Sequence, residues 1–418
     1  MNTTASPPTL AVDVTALWNR PISGIQRVIR EVTPHVAHAA VARGWDIALV
    51  HTRKNSQKLL LHWSGPDALK NLSSDLDRVA AGIHCHESAL YARIRNKLRE
   101  RLHARREARH NRKEATSSFP IVPQWLRQSA KRWLRRPNPE PITADAYLTF
   151  AAGILPAMTL PTVPPERSIY VLHDLIPLQH PEFCHPRTSR AFLNQLGELA
   201  FAPDLCRRRF VTASRYVADD IHAIFRSITG TSVNVDLVRW GYDAKRFFPE
   251  PDPLFRSHYG IPAEVPLVVA VSTQDRRKRF ADIAAAVKQM NACAVFLGAG
   301  EKRREGNAFY LGHVPDEVVR RAYSSGDVVV NWSAAEGFGL PTIEALACGS
   351  RVVVPPDNKT LMEIGGDYVV VADQANIDGL CAAIETAVGL PRQTPDLSDF
   401  CWKKTADAFI RFLWPDAD

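Results

Sequence analysis

Glu336-Gly337-Phe338-Gly339-Leu340-Pro341-Thr342-Ile343-Glu344, followed by Ala345-Leu346-Ala347-Cys348-Gly349, is the stretch that decides the fold. Just before it, Asp327-Val328-Val329-Val330-Asn331-Trp332 is a short apolar run. The order is therefore strand, loop, helix. Pro341 falls in a first helical turn, where its missing N–H costs nothing. The free N–H groups of such a turn, together with the positive end of the helix, suit an anion. Glu336 belongs to the loop, while Glu344 sits about one turn inside the helix. The two acids can reach different ends of one elongated ligand. Taken singly, either acid also fits a plain surface loop before a capped amphipathic helix.

Outward from this stretch the same alternation recurs. Pro266–Val271, Ala294–Leu297, Phe309–Pro315 and Arg351–Val354 are expected strands, separated by polar turns and helical segments. Ser272-Thr273-Gln274-Asp275-Arg276-Arg277-Lys278 is a turn before a helix. Taken alone, a lysine among basic neighbours fits a solvated turn. In the first half, Leu10–Thr15, Asp46–His51, Ala146–Phe150, Ser168–Asp174, Phe210–Ala213 and Asn234–Val238 are expected strands. Ile25, Val28, Ile29, Val32 and Val36 give a helix after Gly24, a residue that lets backbone approach a ligand closely. Ser23 and Ser214 are expected N-caps. His173-Asp174 ends a strand, the place where ligands gather in open α/β sheets. The plainer reading of His173 is a core histidine bonded to backbone.

The 418 residues suffice for two domains, and 45% hydrophobic with 23% charged residues is a soluble globular composition. Seven scattered cysteines with no Cys-x-x-Cys pair indicate reduced thiols in a cytosolic protein, neither a disulfide frame nor a zinc site. No secretion signal opens the chain, and no apolar run is long enough to span a bilayer. The net charge of +8 is uneven. Residues 91–136 carry 15 Lys/Arg against 3 Glu, a surplus larger than that of the whole chain. Leu90, Ile94, Leu98 and Leu102 recur among arginines, and Trp125 and Trp133 share a second basic segment. Such a stretch suits an anionic membrane surface, or a solvated hairpin covering the first domain. Nucleic acid is not an expected partner, because no nucleic-acid module accompanies the charge.

The full string from Glu336 to Glu344 resembles the Glu-x7-Glu donor site of retaining glycosyltransferases, in particular glycosyltransferase family 4. The rest of the chain carries the same resemblance from about residue 10 to 412. His173-Asp174-Leu175-Ile176-Pro177 is similar to a His-Asp-Leu-Ile-Pro stretch of family members that build bacterial surface polysaccharide. Gly241-Tyr242-Asp243 with Phe247 and Pro249 resembles the family's hinge. The turn ending at Lys278 resembles a Gly-Thr-x-x-Pro-Arg-Lys loop, with Ser272 and Arg276 departing from it. Thr360–Asp367 resembles the Leu-Pro-Glu-Val-x-Gly-Asp ending, and Arg351 stands where proline is usual.

The resemblance implies an α/β GT-B fold, two Rossmann-like domains facing each other across a cleft. Residues 1–242 would bind the acceptor and carry a basic helical insertion at about 56–138. Residues 243–395 would bind the nucleotide sugar, and a helix in 396–418 would cross back. Implied donor-binding residues are Gly24, Thr273, Lys278, Val314, Phe338, Gly339, Leu340 and Glu344. Glu336, His173 and Lys278 would be catalytic, with Asp174 on the acceptor side. The implied reaction moves a hexose or deoxyhexose from a nucleotide sugar to a saccharide or lipid-linked acceptor, with no metal and no other cofactor. GDP-mannose is the first-choice donor, with UDP- and dTDP-sugars as alternatives. The expected location is cytoplasmic, with peripheral attachment to the inner face of the membrane through residues 91–136. An epimerase or phosphorylase on the same fold, and a non-catalytic subunit of an assembly complex, are the rival readings.

Overall fold

Short valine-rich runs between polar turns set the architecture. The computed structural model describes residues 7–14, 24–53, 56–63, 69–70, 72–80, 144–152, 163–273, 275–298 and 300–415. The chain divides into two units, residues 1–168 with 194–199, and residues 169–193 with 200–418.

The first unit contains β1 (Thr9–Asp13), α1 (Gly24–Ala42), β2 (Asp46–Arg53), β3 (Ser56–Trp63), α2 (Leu72–Ala80) and β4 (Ala146–Ala152). β1 lies between β2 and β4, parallel to both. A strand paired on both edges and covered on both faces needs a continuous apolar run, and Leu10, Ala11 and Val12 are all buried. α1 buries Val28, Ile29, Val32 and Val36, the stripe its period foretells. Asp13, at the carboxyl end of β1, is fully buried and accepts a hydrogen bond from the Tyr147 hydroxyl at 3.0 Å.

The chain from Ser56 onward is expected to be irregular and basic; instead Ser56–Trp63 is a strand, antiparallel to β2. Two residues separate β2 from β3 in the sequence, the spacing of a hairpin, and the partner strand supplies the order that local composition does not signal. The helices expected around Leu90–Leu102 and Trp125–Leu134, and with them the membrane-facing stretch 91–136, lie outside the described residues. Among the described residues no helix is long and apolar enough to cross a membrane.

The second unit begins with β5 (Ser168–Leu172), most of whose residues it holds. β6 (Arg209–Thr212) and β7 (Asn234–Leu237) follow, all three parallel in the order β5-β6-β7. α3 (Pro186–Ala200), whose residues 194–199 are counted with the first unit, and α4 (Arg215–Thr229) connect them along the chain. Ser214 takes the N-cap position of α4, but its hydroxyl makes no cap bond. It donates to Glu363 Oε2 at 2.9 Å, and the same carboxylate accepts the Arg215 N–H at 2.9 Å. The expected serine cap is thus replaced by a glutamate reaching in from a distant helix.

A second sheet follows. Its strands are β8 (Leu267–Val271), β9 (Cys293–Leu297), β10 (Arg303–Glu305), β11 (Ala308–Gly312), β12 (Val328–Val330), β13 (Val352–Val354) and β14 (Val369–Val371). The order is β10-β11-β9-β8-β12-β13-β14, and only β10 runs antiparallel to its neighbour. Without β10 this is the doubly wound order, and the chain reverses direction across the sheet between β8 and β12. Helices α5 (Phe280–Gln289), α6 (Asp316–Ser325), α7 (Leu340–Ala347), α8 (Lys359–Gly365) and α9 (Ile377–Gly389) connect or cover the strands. Phe296 stacks on Tyr310 at 4.6 Å and meets the tilted ring of Phe280 at 4.7 Å, while Trp332, Leu380 and Ile384 fill the same core. α10 (Trp402–Leu413) closes the unit by stacking Phe409 on Trp240 at 6.3 Å and donating from the Thr405 hydroxyl to the Arg239 carbonyl at 2.7 Å.

Candidate active site

Two strand ends at the reversal point supply the site. β8 leads into Ser272–Lys278, and β12 leads into Asn331–Glu336. The first loop closes as a tight helical turn over Arg276–Lys278, where Asp275 accepts the Arg277 N–H. That turn buries Lys278 to 7% exposure. The second loop is held by side chains. Ser333 Oγ donates to the Ala335 carbonyl at 3.0 Å, and Asn358 donates to the Ser333 carbonyl at 2.8 Å.

The loops meet through charge. Lys278 Nζ donates to Glu336 Oε1, and Arg277 Nη1 donates to Glu336 Oε2 at 3.0 Å. Burial alone would raise the Glu336 carboxyl, but Lys278 and Arg277 outweigh it and hold the group below its usual range. Burial draws the Lys278 ammonium below its ordinary value, with Glu336 pulling the other way. For Arg277, burial opposes the charge and Glu336, Asp275 and Asp174 overcome it.

His173 and Asp174 follow β5 and enter the same neighbourhood. The His173 ring is buried against Trp240, 5.8 Å between centroids. Asp174 Oδ1 accepts the Ile176 N–H at 3.0 Å. Burial raises the Asp174 carboxyl; Arg277, Glu336 and Lys278 all act on it. Gly337 permits this approach, because a Cβ there would lie 2.1 Å from the His173 carbonyl oxygen.

The loop then enters α7. Gly339, at the N-cap, has φ +92°, a left-handed conformation that glycine takes without penalty. Leu340 and Pro341 open the helix, as their sequence foretells. Asn331 donates to Thr342 Oγ1 at 2.9 Å, which ties the end of β12 to the first turn of α7. Phe338 is buried, 6.0 Å from the Phe400 ring. Glu344 is buried on α7 at 4% exposure.

The structure therefore brings Glu336, Lys278, Asp174 and the His173 backbone together. Gly339, Leu340 and Glu344 lie along the adjoining helix. Thr273 is exposed at the end of β8, and Val314 is half-buried after β11. Gly24 opens α1 in the first unit. Among the described residues no group of three or more His, Cys, Asp or Glu is placed to hold a metal ion. Arg277 is the member that sequence reasoning missed. Its one signal was adjacency to Lys278, and a run of basic residues on a turn looks solvated.

Residues 253–398 match the family model described as glycosyl transferases group 1. Over 105 residues, 25% of each chain, the protein is 38% identical to O-antigen chain mannosyltransferase B of Escherichia coli. Over 276 residues, 58% of this chain and 33% of the relative, it is 25% identical to the serotype-specific mannosyltransferase WbdA of Escherichia coli. The chain thus spans a quarter to a third of the length of these curated relatives. Among solved structures, sucrose-phosphate synthase from Thermosynechococcus elongatus aligns over 98% of this chain and 95% of its own, with TM-score 0.54 and 14% identity. The Anabaena protein HepE, in complex with UDP-glucose, aligns over 97% of this chain and 94% of its own, with TM-score 0.51 and 15% identity. Residues 253–398 thus match a group 1 glycosyl transferase model, and the chain that carries them has the mixed α/β GT-B fold.

Proposed function

We propose that the protein is a retaining glycosyltransferase of family 4. It moves a hexose or deoxyhexose from a nucleotide sugar to a hydroxyl of a saccharide or lipid-linked acceptor, in the synthesis of bacterial surface polysaccharide. The observation that carries this reading is the buried contact of Lys278 and Arg277 with Glu336 at the carboxyl ends of β8 and β12. A lysine there neutralises charge growing on a leaving nucleoside diphosphate, and the amides at the start of α7 add to it without a metal. Glu336 lies against the transferred sugar. Glu344 accepts hydrogen bonds from ribose hydroxyls, since a carboxylate can take two. His173 borders the acceptor. The leaving phosphate helps deprotonate the acceptor hydroxyl, so the protein supplies position and charge more than a nucleophile. Both mannosyltransferase relatives favour mannose as the sugar and GDP-mannose as the first donor to try.

The test is turnover of GDP-mannose, UDP-glucose and a dTDP-hexose by the purified protein, alone and with Glu336→Gln, Glu344→Ala and Lys278→Ala. Each variant is expected to lose about 10²-fold or more on the donor that turns over. Wild-type rates in all three variants remove the assignment.

A further inference from the structure

Arg277 has no part in the roles above, yet it is the most connected residue of the cluster. Its carbonyl accepts the Ala334 N–H at 2.8 Å. Its Nη1 donates to the Ala335 carbonyl at 2.6 Å and to Glu336 Oε2 at 3.0 Å. One side chain and its own backbone therefore grip three consecutive residues of the loop that presents Glu336. Lys278 holds the other carboxylate oxygen, Oε1. Glu336 has one cation on each oxygen.

The two cations are not equivalent. The ammonium of Lys278 is a point charge on a flexible stem and can turn to another oxygen. The guanidinium of Arg277 is a planar fork already fixed to a backbone carbonyl. We propose that Arg277 is a positioning residue: it keeps Glu336 ionised and aimed at the sugar while Lys278 turns to the donor diphosphate. This rests on the reading of Lys278 as the diphosphate group and Glu336 as the sugar group. A buried carboxylate that lost its last cation would take up a proton, and with it would go one acceptor position. The remaining groups around Glu336 do not replace the arginine. Ser333, in the same loop, has its hydroxyl proton on the Ala335 carbonyl, and Asp174, arriving from β5, adds negative charge. Asp275 at the start of the turn adds more, and Cys184 beside Asp174 carries no positive charge.

The test needs no ligand. Lys278→Gln stands for the lysine having left. Carboxyl-labelled glutamate gives the Glu336 titration by NMR, with Glu336→Gln identifying the signal. In Lys278→Gln the carboxyl is expected to titrate still below the ordinary glutamate value. Adding Arg277→Gln is expected to move it up by about one unit or more. Equal titrations in Lys278→Gln and the double variant overturn the proposal. If the double variant does not fold, Arg277→Lys in the Lys278→Gln background takes its place. There the titration should lie above that of Lys278→Gln, because the shorter lysine chain does not carry its ammonium to the position from which Nη1 meets both acceptors. A titration identical to that of Lys278→Gln again counts against it. Thermal shifts with GDP, UDP and dTDP are read separately: Arg277→Gln keeps the wild-type shift and Lys278→Gln loses it. If the wild type shows no shift with any of the three, the donor-site reading fails and the Glu336 titration still decides the role of Arg277.

Discussion

Replacing Gly337 by alanine tests whether the close approach of two backbones makes the site. The added Cβ would stand 2.1 Å from the His173 carbonyl oxygen, 3.0 Å from the His173 carbonyl carbon and 3.1 Å from the Asp174 Cβ. A carbon–oxygen contact settles at roughly 3.3 Å or more, so the loop and the His173–Asp174 segment must part by about 1 Å. No rotamer change relieves this, because the nearest atoms are main chain. Nor can either segment give way freely. Asp174 is tied to the Ile176 N–H, the His173 ring packs on Trp240, and Glu336 is held by two cations. Overpacking of this kind costs about 1–3 kcal/mol of stability. Displacing a reacting group by about 1 Å can cost about 10²-fold in rate. Urea unfolding followed by circular dichroism gives the first number, and donor turnover gives the second. The backbone of Gly337 is not in the left-handed region, so the loss is steric and Gly337→Ser should do at least as much harm. A Gly337→Ala protein with the wild-type urea midpoint and turnover would refute the close approach.

Two further predictions concern the frame around the site. Asn331→Ala leaves the buried Thr342 hydroxyl without its donor and should cost about 1–3 kcal/mol in urea unfolding; adding Thr342→Val should recover part of that loss, and a simple sum of the two single effects would count against the contact. Glu363 accepts from Ser214 and the Arg215 N–H and pairs with Arg239 at 2.6 Å, so these groups, against burial, hold its carboxyl below the ordinary value. Its contribution is complete above the unfolded carboxyl value of about 4.3 and drains away as pH falls through the lower folded value. Glu363→Gln should therefore flatten the acid side of the stability–pH curve, and an unchanged slope between pH 5 and 2, a window of about three units, would show that the carboxylate has no such role.

The parts of this protein that were legible in its sequence are those fixed by local pattern. Val328–Val330 announces a buried strand, Pro341 announces a helix start, and both stand where expected. Lys278 was singled out by the resemblance of its turn to a family loop, since its local pattern alone fits a solvated turn. The parts that were not legible depend on partners far along the chain. Glu363 caps α4 from 149 positions away from Ser214, and nothing near Ser214 betrays that its hydroxyl is already spoken for. Gly337 looks like an ordinary loop glycine until the His173 carbonyl is seen against it. Arg277 sits in an Arg-Arg-Lys-Arg run whose members look alike on paper. In three dimensions Arg276 is exposed, Lys278 is buried and Arg277 reaches the loop of Glu336. β3 was missed for a related reason, since an antiparallel neighbour, rather than its own composition, makes it a strand.

The cluster of Asp174, Arg277, Lys278 and Glu336 is poor economy for a fold. Taking an ion out of water costs several kcal/mol even after relaxation, and apolar side chains of the same volume often serve stability as well or better. The sheet beneath could bear such a replacement. β8 and β12 are buried and pair in parallel through Val328 with Val268 and Val329 with Val269. Charges held there at a cost to stability point to a use outside folding. The balance of the cluster indicates which use. Glu336 is tied to both cations, while Asp174 is tied to a backbone N–H and is the carboxyl that burial pushes up. In the proposed reaction an arriving diphosphate brings negative charge. On that reading Lys278 is the cation that turns toward it, and Asp174, the carboxyl that burial pushes up, is the one readier to accept a proton in response. Glu336, gripped by Arg277, is the group least able to change. A site meant to hold one carboxylate fixed against a sugar while charge moves around it would be arranged in this way.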